Sequence, residues 1–518
     1  MIEINLSERD FDYEIQALVN SFFPGQRSVV VICGEERSEY EFADDVLLTV
    51  NISLSMKQIA VEVICGDYDL KKTEEVTGEK DWHKNKDKTT HPYRTYYKNV
   101  LKKLIFEQLR DIPAEKLNDI SDGHLLKRVI PLWGTMTGVR PAKIAMNELL
   151  SGKMEDEVRK ELRDTYCCSE EKIELGLEIA KKEAEILEKC DYKTGYSLYI
   201  GIPFCPTTCL YCSFTSYPYE KFGHLAEKYL DALDVTSIYV GGGTPTTLTA
   251  MQLDRLIGCI KENFPMELGY EFTIEAGRPD SITREKLEVM YNHGVRRISV
   301  NPQTMQQKTL DLIGRKHTVE QTIEAFKLAR QVGFDNINMD LIIGLPGENE
   351  DDFRDTLHRI KELNPDSLTI HSLVVKRASR LRSVLDEEEK KNSGKADGIL
   401  SENDKAAVME KMLDIGQKFA KSEGYEPYYM YRQKNSAGHF GSSGQENIGY
   451  ARKGKECIYN ILIMEEKQGI LAAGAGASTK KMLDDEKVKR CENVKDITSY
   501  ISRVDEMIER KRQLFSEE

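Results

Sequence analysis

Residues 196–373 alternate between short apolar runs and longer stretches in which apolar residues recur with the period of an α-helix. Each apolar run has the length and β-branched content of a buried strand and is followed by a helical stretch such as TREKLEVMYNHG. The predicted strands are SLYIGIP, SIYVGGG, YEFTIEA, RRISVN, NINMDLII and SLTIHSL. Six such units predict a parallel sheet that right-handed crossovers curl into a partial, TIM-like (β/α)6 barrel of the α/β class.

The chain on either side of this region has other patterns, and together they predict five parts. Residues 1–125 combine β-branched runs such as SVVVIC with a long amphipathic stretch, which predicts an added N-terminal α+β domain. Residues 126–190 have helical periodicity and connect that domain to the barrel, residues 191–382. A charged linker over residues 383–402 then leads to a smaller C-terminal domain, residues 403–518.

Composition and charge narrow the classes of partner. The 518 residues have a formal net charge of −14, which argues against nucleic acid because nucleic-acid-binding proteins concentrate positive charge. No apolar run approaches the roughly 18 residues of a membrane span. The chain opens on MIEINLSERDFDYE, without a basic and then apolar leader, and has 11 cysteines, an odd number. We therefore expect a cytoplasmic protein in a reducing compartment that acts on a small molecule. We also expect it to be a monomer.

Polar side chains and glycines lie at or just beyond the ends of the predicted strands. Functional residues of barrels collect at the carboxyl ends of the strands. The first strand precedes a cysteine-rich loop, and the later strands end at the following residues: Gly241, Gly242, Gly243, Thr244, Glu275, Arg278, Asn301, Gln303, Asp340, Gly344 and His371. We therefore expect these residues to form one site.

Three cysteines follow the first strand directly, and three and then two residues separate Cys205, Cys209 and Cys212. Thiolates at this spacing can hold three corners of an iron–sulfur cubane, which usually has four cysteine ligands. One iron would then stay open to a ligand from outside the protein, which indicates substrate chemistry. Structural zinc and a disulfide framework are the competing interpretations. Zinc sites usually have four ligands in two close pairs and no second pair follows, and the chain's size disfavours disulfides.

The cysteine loop YIGIPFCPTTCLYCSF and the glycine motif GGGTPT resemble the motifs of the radical S-adenosylmethionine (radical SAM) superfamily. Within it, the segments YIGIPFC, IYVGGGTPT, LIGRKHT and NMDLIIGLPGE are similar to the branch of oxygen-independent coproporphyrinogen III dehydrogenases, which also includes heme chaperones. The resemblance spans residues 195–480. The upstream stretch PLWGTMTGVRP and the N-terminal domain resemble the HemZ type of this family.

The resemblance implies a barrel of the radical SAM type with two cofactors, a [4Fe-4S] cluster and S-adenosylmethionine (SAM). It implies that the cluster is ligated by Cys205, Cys209 and Cys212. The residues implied to contact SAM are Gly242, Gly243, Thr244, Glu275, Gln303, Arg315 and Asp340. Tyr199 and Gln303 are implied as catalytic residues.

The same resemblance implies an enzyme of heme biosynthesis. The expected reaction is the oxygen-independent oxidative decarboxylation of coproporphyrinogen III, a tetrapyrrole, to protoporphyrinogen IX, with an unidentified electron donor. The carboxylates of that substrate require cations. The candidate cations are Arg278, Arg315, Lys316, His317 and the basic run at residues 376–382, for which a solvated surface is an equally good interpretation.

Three departures from the family pattern keep an alternative open. Phe214 stands where established dehydrogenases carry a further cysteine, and CSFTS is similar to the chaperone version. Residues 446–450 read ENIGY where chaperones have His-Asn-x-x-Tyr, and glutamate is a poor substitute for an imidazole heme ligand. The first crossover, residues 213–240, is also short for the family. The sequence favours the dehydrogenase and leaves a heme chaperone or heme-transfer protein as the alternative.

Overall fold

The computed structural model of the protein describes residues 1–34, 46–55, 57–76, 92–118, 126–190, 196–206, 209–212, 217–218, 238–263, 271–373, 402–433, 446–483 and 487–516. They divide into two compact units. The first comprises the described residues of Met1–Glu178, Asp397–Glu410 and Arg432–Gln445. The second comprises those of Ile179–Ala396, Lys411–Tyr431 and Glu446–Glu518. The five boundaries inferred from the sequence stay predictions.

The first unit contains a mixed sheet whose strand order is β2-β1-β3-β4-β5. The strands are β1 (Ile2–Leu6), β2 (Ser28–Ile32), β3 (Leu48–Leu54), β4 (Gln58–Cys65) and β5 (Tyr68–Glu75). β1 is parallel to both neighbours, and β3, β4 and β5 are antiparallel. The helices are α1 (Asp12–Phe22), α2 (Pro92–Asp111), α3 (Ala114–Asn118), α4 (Ala142–Leu150) and α5 (Glu155–Asp164), and α6 (Glu170–Glu188) continues into the second unit. The predicted N-terminal α+β arrangement is confirmed.

All six predicted barrel strands are present in the second unit. They are β6 (Tyr196–Ile202), β9 (Tyr239–Gly242), β10 (Thr273–Gly277), β11 (Arg297–Val300), β12 (Asn336–Ile343) and β13 (Ser367–Ser372). Each strand is parallel to the next along the chain. The short strands β7 (Phe204–Cys205) and β8 (Tyr217–Pro218) pair with each other. The partial barrel predicted from the alternating pattern is therefore confirmed.

Helices connect the later barrel strands, as the helical periodicity predicts. They are α7 (Ala250–Asn263), α8 (Arg284–Asn292), α9 (Gln307–Leu312), α10 (Val319–Val332) and α11 (Glu350–Leu363). Thr318 and Asn349 begin α10 and α11 with capping boxes, in which the side chain accepts hydrogen bonds from free backbone N–H groups of the first turn. Nearly all of the first crossover, which we expect to be short, lies outside the described residues.

The strands of the C-terminal segment join the barrel sheet at both edges. They are β14 (Glu426–Arg432), β15 (Glu446–Ala451), β16 (Gly469–Ala473), β17 (Ser478–Met482) and β18 (Val488–Glu492). The full strand order is β14-β15-β13-β12-β11-β10-β9-β6-β16-β17-β18. β15 is antiparallel to β13, and β16 is parallel to β6. The remaining helices are α12 (Glu402–Ser422), α13 (Ile458–Glu465), α14 (Ile497–Ser502) and α15 (Val504–Ser516).

The barrel strands are buried on both faces, which is why their sequences are nearly continuous apolar runs. Ile200, Val240, Ile274 and Ile298 have no exposed surface. Burial of each such side chain contributes roughly 1.5–3 kcal/mol to folding. No helix in the described ranges is both long enough and apolar enough to cross a lipid bilayer.

Candidate active site

The cysteine loop begins where β6 ends and is held against the glycines that end β9. The backbone N–H of Gly243 donates to the carbonyl of Ile202 at 2.5 Å, and that of Thr244 donates to the carbonyl of Phe204 at 2.7 Å. The Thr244 hydroxyl lies 3.4 Å from the thiol of Cys205. The parallel pairing of β6 and β9 therefore places the first predicted cluster ligand beside the glycine motif.

The glycines of this motif are required by close backbone packing. Gly242 has φ +106°, and a Cβ there would lie 2.7 Å from the backbone nitrogen of Ile202. A Cβ at Gly243 would lie 2.6 Å from the carbonyl oxygen of Phe204 and 3.0 Å from Sγ of Cys205. No side chain fits at either position without moving the backbone. The resemblance explains these glycines by the close approach of SAM. The structure shows a second reason, which is the close packing of the cysteine loop.

Cys205 and Cys209 are buried and Cys212 is half-buried. Beside Cys209, the Nη1 atom of Arg278 lies 3.8 Å from Sγ. The guanidinium of Arg278 also donates twice to the carboxylate of Asp280, at 2.6 and 3.0 Å. A bidentate pair of this kind fixes the plane of the guanidinium and so holds its remaining N–H groups in position.

Arg315 and His317 are also interior residues. Nη1 of Arg315 donates to the backbone carbonyls of Asn301 and Pro302, at 2.5 and 3.3 Å. His317 has no exposed surface, and burial together with the Arg315 cation lowers its pKa to about 3. With this pKa His317 is neutral at pH 7, which does not support the expectation that it is a cation for the substrate. Arg278 is likewise engaged with Asp280 in the interior, whereas Lys316 is exposed.

Glu275 lies on β10 beside a stack of three tyrosines. The hydroxyl of Tyr239 donates to Oε1 of Glu275 at 2.5 Å. The Tyr239 ring stacks on Tyr459 with centroids 4.4 Å apart and on Tyr199 with centroids 6.3 Å apart. Burial raises the pKa of Glu275 to about 7, with the Tyr239 hydrogen bond opposing and the charge of Asp340 adding to that shift. A Cβ at Gly241 would lie 3.0 Å from both Glu275 and Tyr239, so this glycine makes room for the pair.

Tyr459 was missed by the sequence analysis. It lies on α13, in the C-terminal segment. An aromatic residue in an apolar run such as CIYNILIM is most simply explained as core, and nothing in that run indicates that it stacks on two barrel tyrosines.

Gln303 and Asp340 are brought together by the backbone. The N–H of Gln303 donates to the carbonyl of Asp340 at 3.0 Å, and its own carbonyl accepts from Ile342 at 2.8 Å. Gln303 has φ +69°, an unusual value for a residue other than glycine. Such conformations cost free energy and often mark functional sites.

The Asp340 carboxylate lies beside the polar side chains of Asn338 and His371. Nδ2 of Asn338 donates to Oδ1 of Asp340 at 2.7 Å, and Nε2 of His371 lies 3.9 Å from the same oxygen. Although burial acts in the opposite direction, His371 and Asn338 lower the pKa of Asp340 below its ordinary value. Asp340 is therefore ionised at neutral pH.

The structure thus gathers the predicted residues into connected groups at the carboxyl ends of the strands. Cys205 contacts Thr244, Tyr239 contacts Glu275, and Gln303 contacts Asp340. Phe214 and the basic run at residues 376–382 lie outside the described residues, and Glu446 is fully buried.

Comparison with known proteins identifies the family. The model of the radical SAM superfamily matches residues 199–360, from β6 to α11. The oxygen-independent coproporphyrinogen-III oxidase-like protein HemZ of Bacillus subtilis (strain 168) is 38% identical over 440 residues, which cover 80% of this chain and 84% of that protein. The chain belongs to the radical SAM superfamily. Within the radical SAM superfamily it lies in the family of HemZ, as its motifs indicate.

Two other groups of radical SAM relatives cover less of the chain. The heme chaperone HemW of Bacillus subtilis (strain 168) is 34% identical over 194 residues, 35% of this chain and 50% of that protein. The oxygen-independent coproporphyrinogen III oxidase of Escherichia coli (strain K12) is 34% identical over 188 residues, 34% of this chain and 41% of that protein. The relatives of this chain are therefore described both as enzymes and as chaperones.

The cofactors of this radical SAM chain are a [4Fe-4S] cluster and SAM, and the donor set fits the cluster. None of the eleven cysteines forms a disulfide in the part of the chain that the structure describes. In those same residues no three His, Cys, Asp or Glu side chains converge on a point where they would bind a single metal ion. A cubane binds each cysteine at a different iron, so its thiolates surround the cluster without meeting at a single metal ion.

Proposed function

We propose that this radical SAM protein is an oxygen-independent coproporphyrinogen III dehydrogenase of heme biosynthesis. The observation that carries the proposal is the 38% identity to a protein described as coproporphyrinogen-III oxidase-like, across 84% of that protein's length. A match over 80% of this chain includes the whole barrel. The proposed substrate is a tetrapyrrole. We also propose that the protein is a monomer and that it takes electrons from a separate donor.

In this proposal Cys205, Cys209 and Cys212 hold the cluster. Two of the thiols are buried at the end of β6, where Thr244 and Arg278 contact them and help to exclude water. When bound, the two cofactors supply hydrogen-atom abstraction from an unactivated carbon of a propionate side chain, and the loss of carbon dioxide that follows leaves one electron for a separate one-electron acceptor. The residues of the chain bind, orient and shield the reacting groups.

The proposed SAM-binding residues supply groups of complementary character. Gly242, Gly243 and Thr244 present backbone close to the cysteine loop, and the Arg315 guanidinium interacts with Cys209 of that loop. Glu275 and Asp340 offer two carboxyl groups, of which Asp340 is ionised and Glu275 titrates near pH 7. Carboxylates accept hydrogen bonds from ribose hydroxyl groups and attract the sulfonium and amine cations of SAM.

Tyr199 and Gln303 are the proposed catalytic residues. Tyr199 is half-buried, and its ring stacks on Tyr239. The backbone of Gln303 pairs with β12. The Tyr199 ring and the Gln303 backbone are therefore held in place before the substrate arrives, which lowers the cost of orienting it.

Carbon dioxide release tests the proposal most directly. Anaerobically reconstituted protein is given dithionite, SAM and coproporphyrinogen III labelled with ¹³C in the propionate carboxyl groups. We expect labelled carbon dioxide and protoporphyrinogen IX, in a ratio of two to one, and no release when SAM is omitted. Cleavage of SAM without any labelled carbon dioxide would assign the radical chemistry to another substrate.

Heme chaperoning is the second candidate, and the similarity to HemW favours it. Heme added without SAM should then shift the Soret band and stay bound through gel filtration. Glu446 has no exposed surface, and a buried carboxylate is a poor heme ligand, which supports the dehydrogenase. A shifted Soret band from bound heme, together with no carbon dioxide release, would favour the heme chaperone over the dehydrogenase.

A further inference from the structure

Asn447 connects the C-terminal segment to the SAM-binding side of the barrel. It lies on β15, which pairs antiparallel with β13, and it has no exposed surface. Its Oδ1 atom lies 3.1 Å from Nδ1 of His371. Its Nδ2 atom donates to the backbone carbonyl of Tyr431 at 3.4 Å. Asn447 lies outside residues 199–360, the part of the chain that matches the superfamily model.

These two contacts determine which ring nitrogen of His371 is protonated. Because the amide nitrogen of Asn447 faces a carbonyl oxygen, its side-chain oxygen must face His371. An oxygen can only accept here, so Nδ1 of His371 is the protonated nitrogen. In a neutral ring the other nitrogen, Nε2, would then direct its lone pair at the carboxylate of Asp340, which is unfavourable.

The surroundings of His371 favour the imidazolium form. Asp340 and Glu275 are the charged groups that face it, and both are acidic. Although burial acts in the opposite direction, Asp340 and Asn447 raise the pKa of His371 above its ordinary value. Tyr431 lies nearby and stays neutral, because burial raises its pKa to about 12.

We propose that Asn447 is a positioning residue of the SAM site: its side-chain oxygen orients His371, and His371 holds the carboxylate of Asp340 in its binding orientation. The inference deepens the proposed function and rests on the proposed contact of Asp340 with SAM. It also explains why an asparagine is buried between two strands, where an apolar residue would pack at lower cost.

The test measures SAM affinity and iron content in five full-length, anaerobically reconstituted proteins. These are the wild type and the variants Asn447→Leu, Asn447→Asp, Asp340→Asn and Asn493→Leu. Asn493 is the matched control, since it is a buried asparagine of the C-terminal segment whose amide donates to the carbonyl of Gly474 at 2.8 Å. Asn447→Asp keeps the acceptor oxygen.

We expect Asn447→Leu to raise the dissociation constant of SAM about three- to tenfold, the effect of losing one hydrogen bond, with iron content unchanged. Asn447→Asp and Asn493→Leu should stay within about twofold of the wild type. If Asp340→Asn weakens binding and Asn447→Leu does not, the positioning role is refuted and the role of Asp340 stands. If neither weakens binding, the proposed SAM contact of Asp340 itself fails.

A second readout does not depend on the cofactors. In long-range ¹H–¹⁵N spectra of the full-length protein labelled with ¹⁵N-histidine, the resonances of His371 are assigned by their loss in His371→Gln. We expect protonated Nδ1 in the wild type and a lower His371 pKa in Asn447→Leu. Unchanged nitrogen shifts and pKa would overturn the inference. If Asn447→Leu does not fold, Asn447→Ala removes the same oxygen and carries the same expectation.

Discussion

Gly243 directly follows β9 and packs closely against the backbone of the cysteine loop. The carbonyl oxygen of Phe204 lies only 2.6 Å from the position of an added Cβ, and Sγ of Cys205 only 3.0 Å. Backbone atoms cannot rotate away as a flexible side chain can. The glycine therefore couples the shape of the proposed cluster loop directly to the barrel strand beside it.

We expect Gly243→Ala to distort this loop at a cost of about 1–3 kcal/mol and to lower the iron bound per chain after reconstitution. Iron and sulfide analysis measures the effect. Gly258→Ala is the control, because Gly258 lies within α7 with no atom within 4 Å of its added Cβ. That helical substitution should be neutral or stabilise the protein by up to about 1 kcal/mol. Equal iron in the two variants would contradict the argument.

The burial of single charged residues could not be predicted from the sequence. Arg278 and His317 were expected near the substrate because of their charge and their position in the sequence. In the structure Arg278 forms a buried pair with Asp280 beside Cys209, and His317 is buried with a lowered pKa. Charge type is visible in a sequence, whereas burial depends on residues far away along the chain.

At the scale of elements, the helices α6 and α13 bring two carboxyl groups together in the interior. Glu183 of α6 and Glu465 of α13 have no exposed surface. Burial, with the charge of Glu465 adding to it, raises the pKa of Glu183 well above its ordinary value. An acid whose pKa is raised by folding favours the native state at low pH, and this contribution is lost as the pH rises above the pKa in the unfolded chain.

We expect Glu183→Gln to raise the free energy of unfolding at pH 8 by about 1–3 kcal/mol, because the amide has no charge to desolvate. The gain should shrink at pH 5, where the glutamate is protonated. Chemical denaturation followed by circular dichroism at the two pH values measures it. Glu188→Gln, at an exposed position of the same helix, should change stability by less than about 0.5 kcal/mol at either pH. A pH-independent effect of Glu183→Gln would refute the electrostatic explanation.

The C-terminal elements were the least predictable. The sequence indicated one strand and a glycine-rich turn at ILAAGAGAS, and the structure places that strand, β16, parallel to β6. β15 pairs with β13 at the other edge of the six barrel strands. The partner of an edge strand depends on which backbone edges stay open after the rest has folded, and local periodicity carries no information about that.

At the scale of the whole molecule, the chain divides into two compact units, each with its own sheet. The proposed cluster ligands Cys205, Cys209 and Cys212 all lie in the second unit. A group that binds only the native state stabilises the part of the protein that holds it. Occupancy of the cluster should therefore affect the two units unequally.

We expect anaerobic scanning calorimetry of the reconstituted protein to show two transitions. Cys209→Ser should lose the cluster and lower the midpoint of one transition by at least roughly 2 °C, with the other unchanged. Cys259→Ser, a substitution of a half-buried cysteine on α7, should keep the cluster and both midpoints. Without reconstitution, Cys209→Ser and the wild type should have the same midpoints. Equal shifts of both transitions would contradict the assignment of the cluster to one unit.

The sequence by itself determined the six barrel strands, the N-terminal α+β arrangement, the cysteine loop and the family. These follow from local patterns, because the period of apolar residues reports burial of a strand or helix and ligand spacing reports the chemistry of a loop. The tertiary structure alone decided that Tyr459 stacks on Tyr239, that Asn447 contacts His371, and that β15 and β16 flank the barrel. Each of these contacts joins residues distant in the chain, and only the packing of the whole sheet selects such partners.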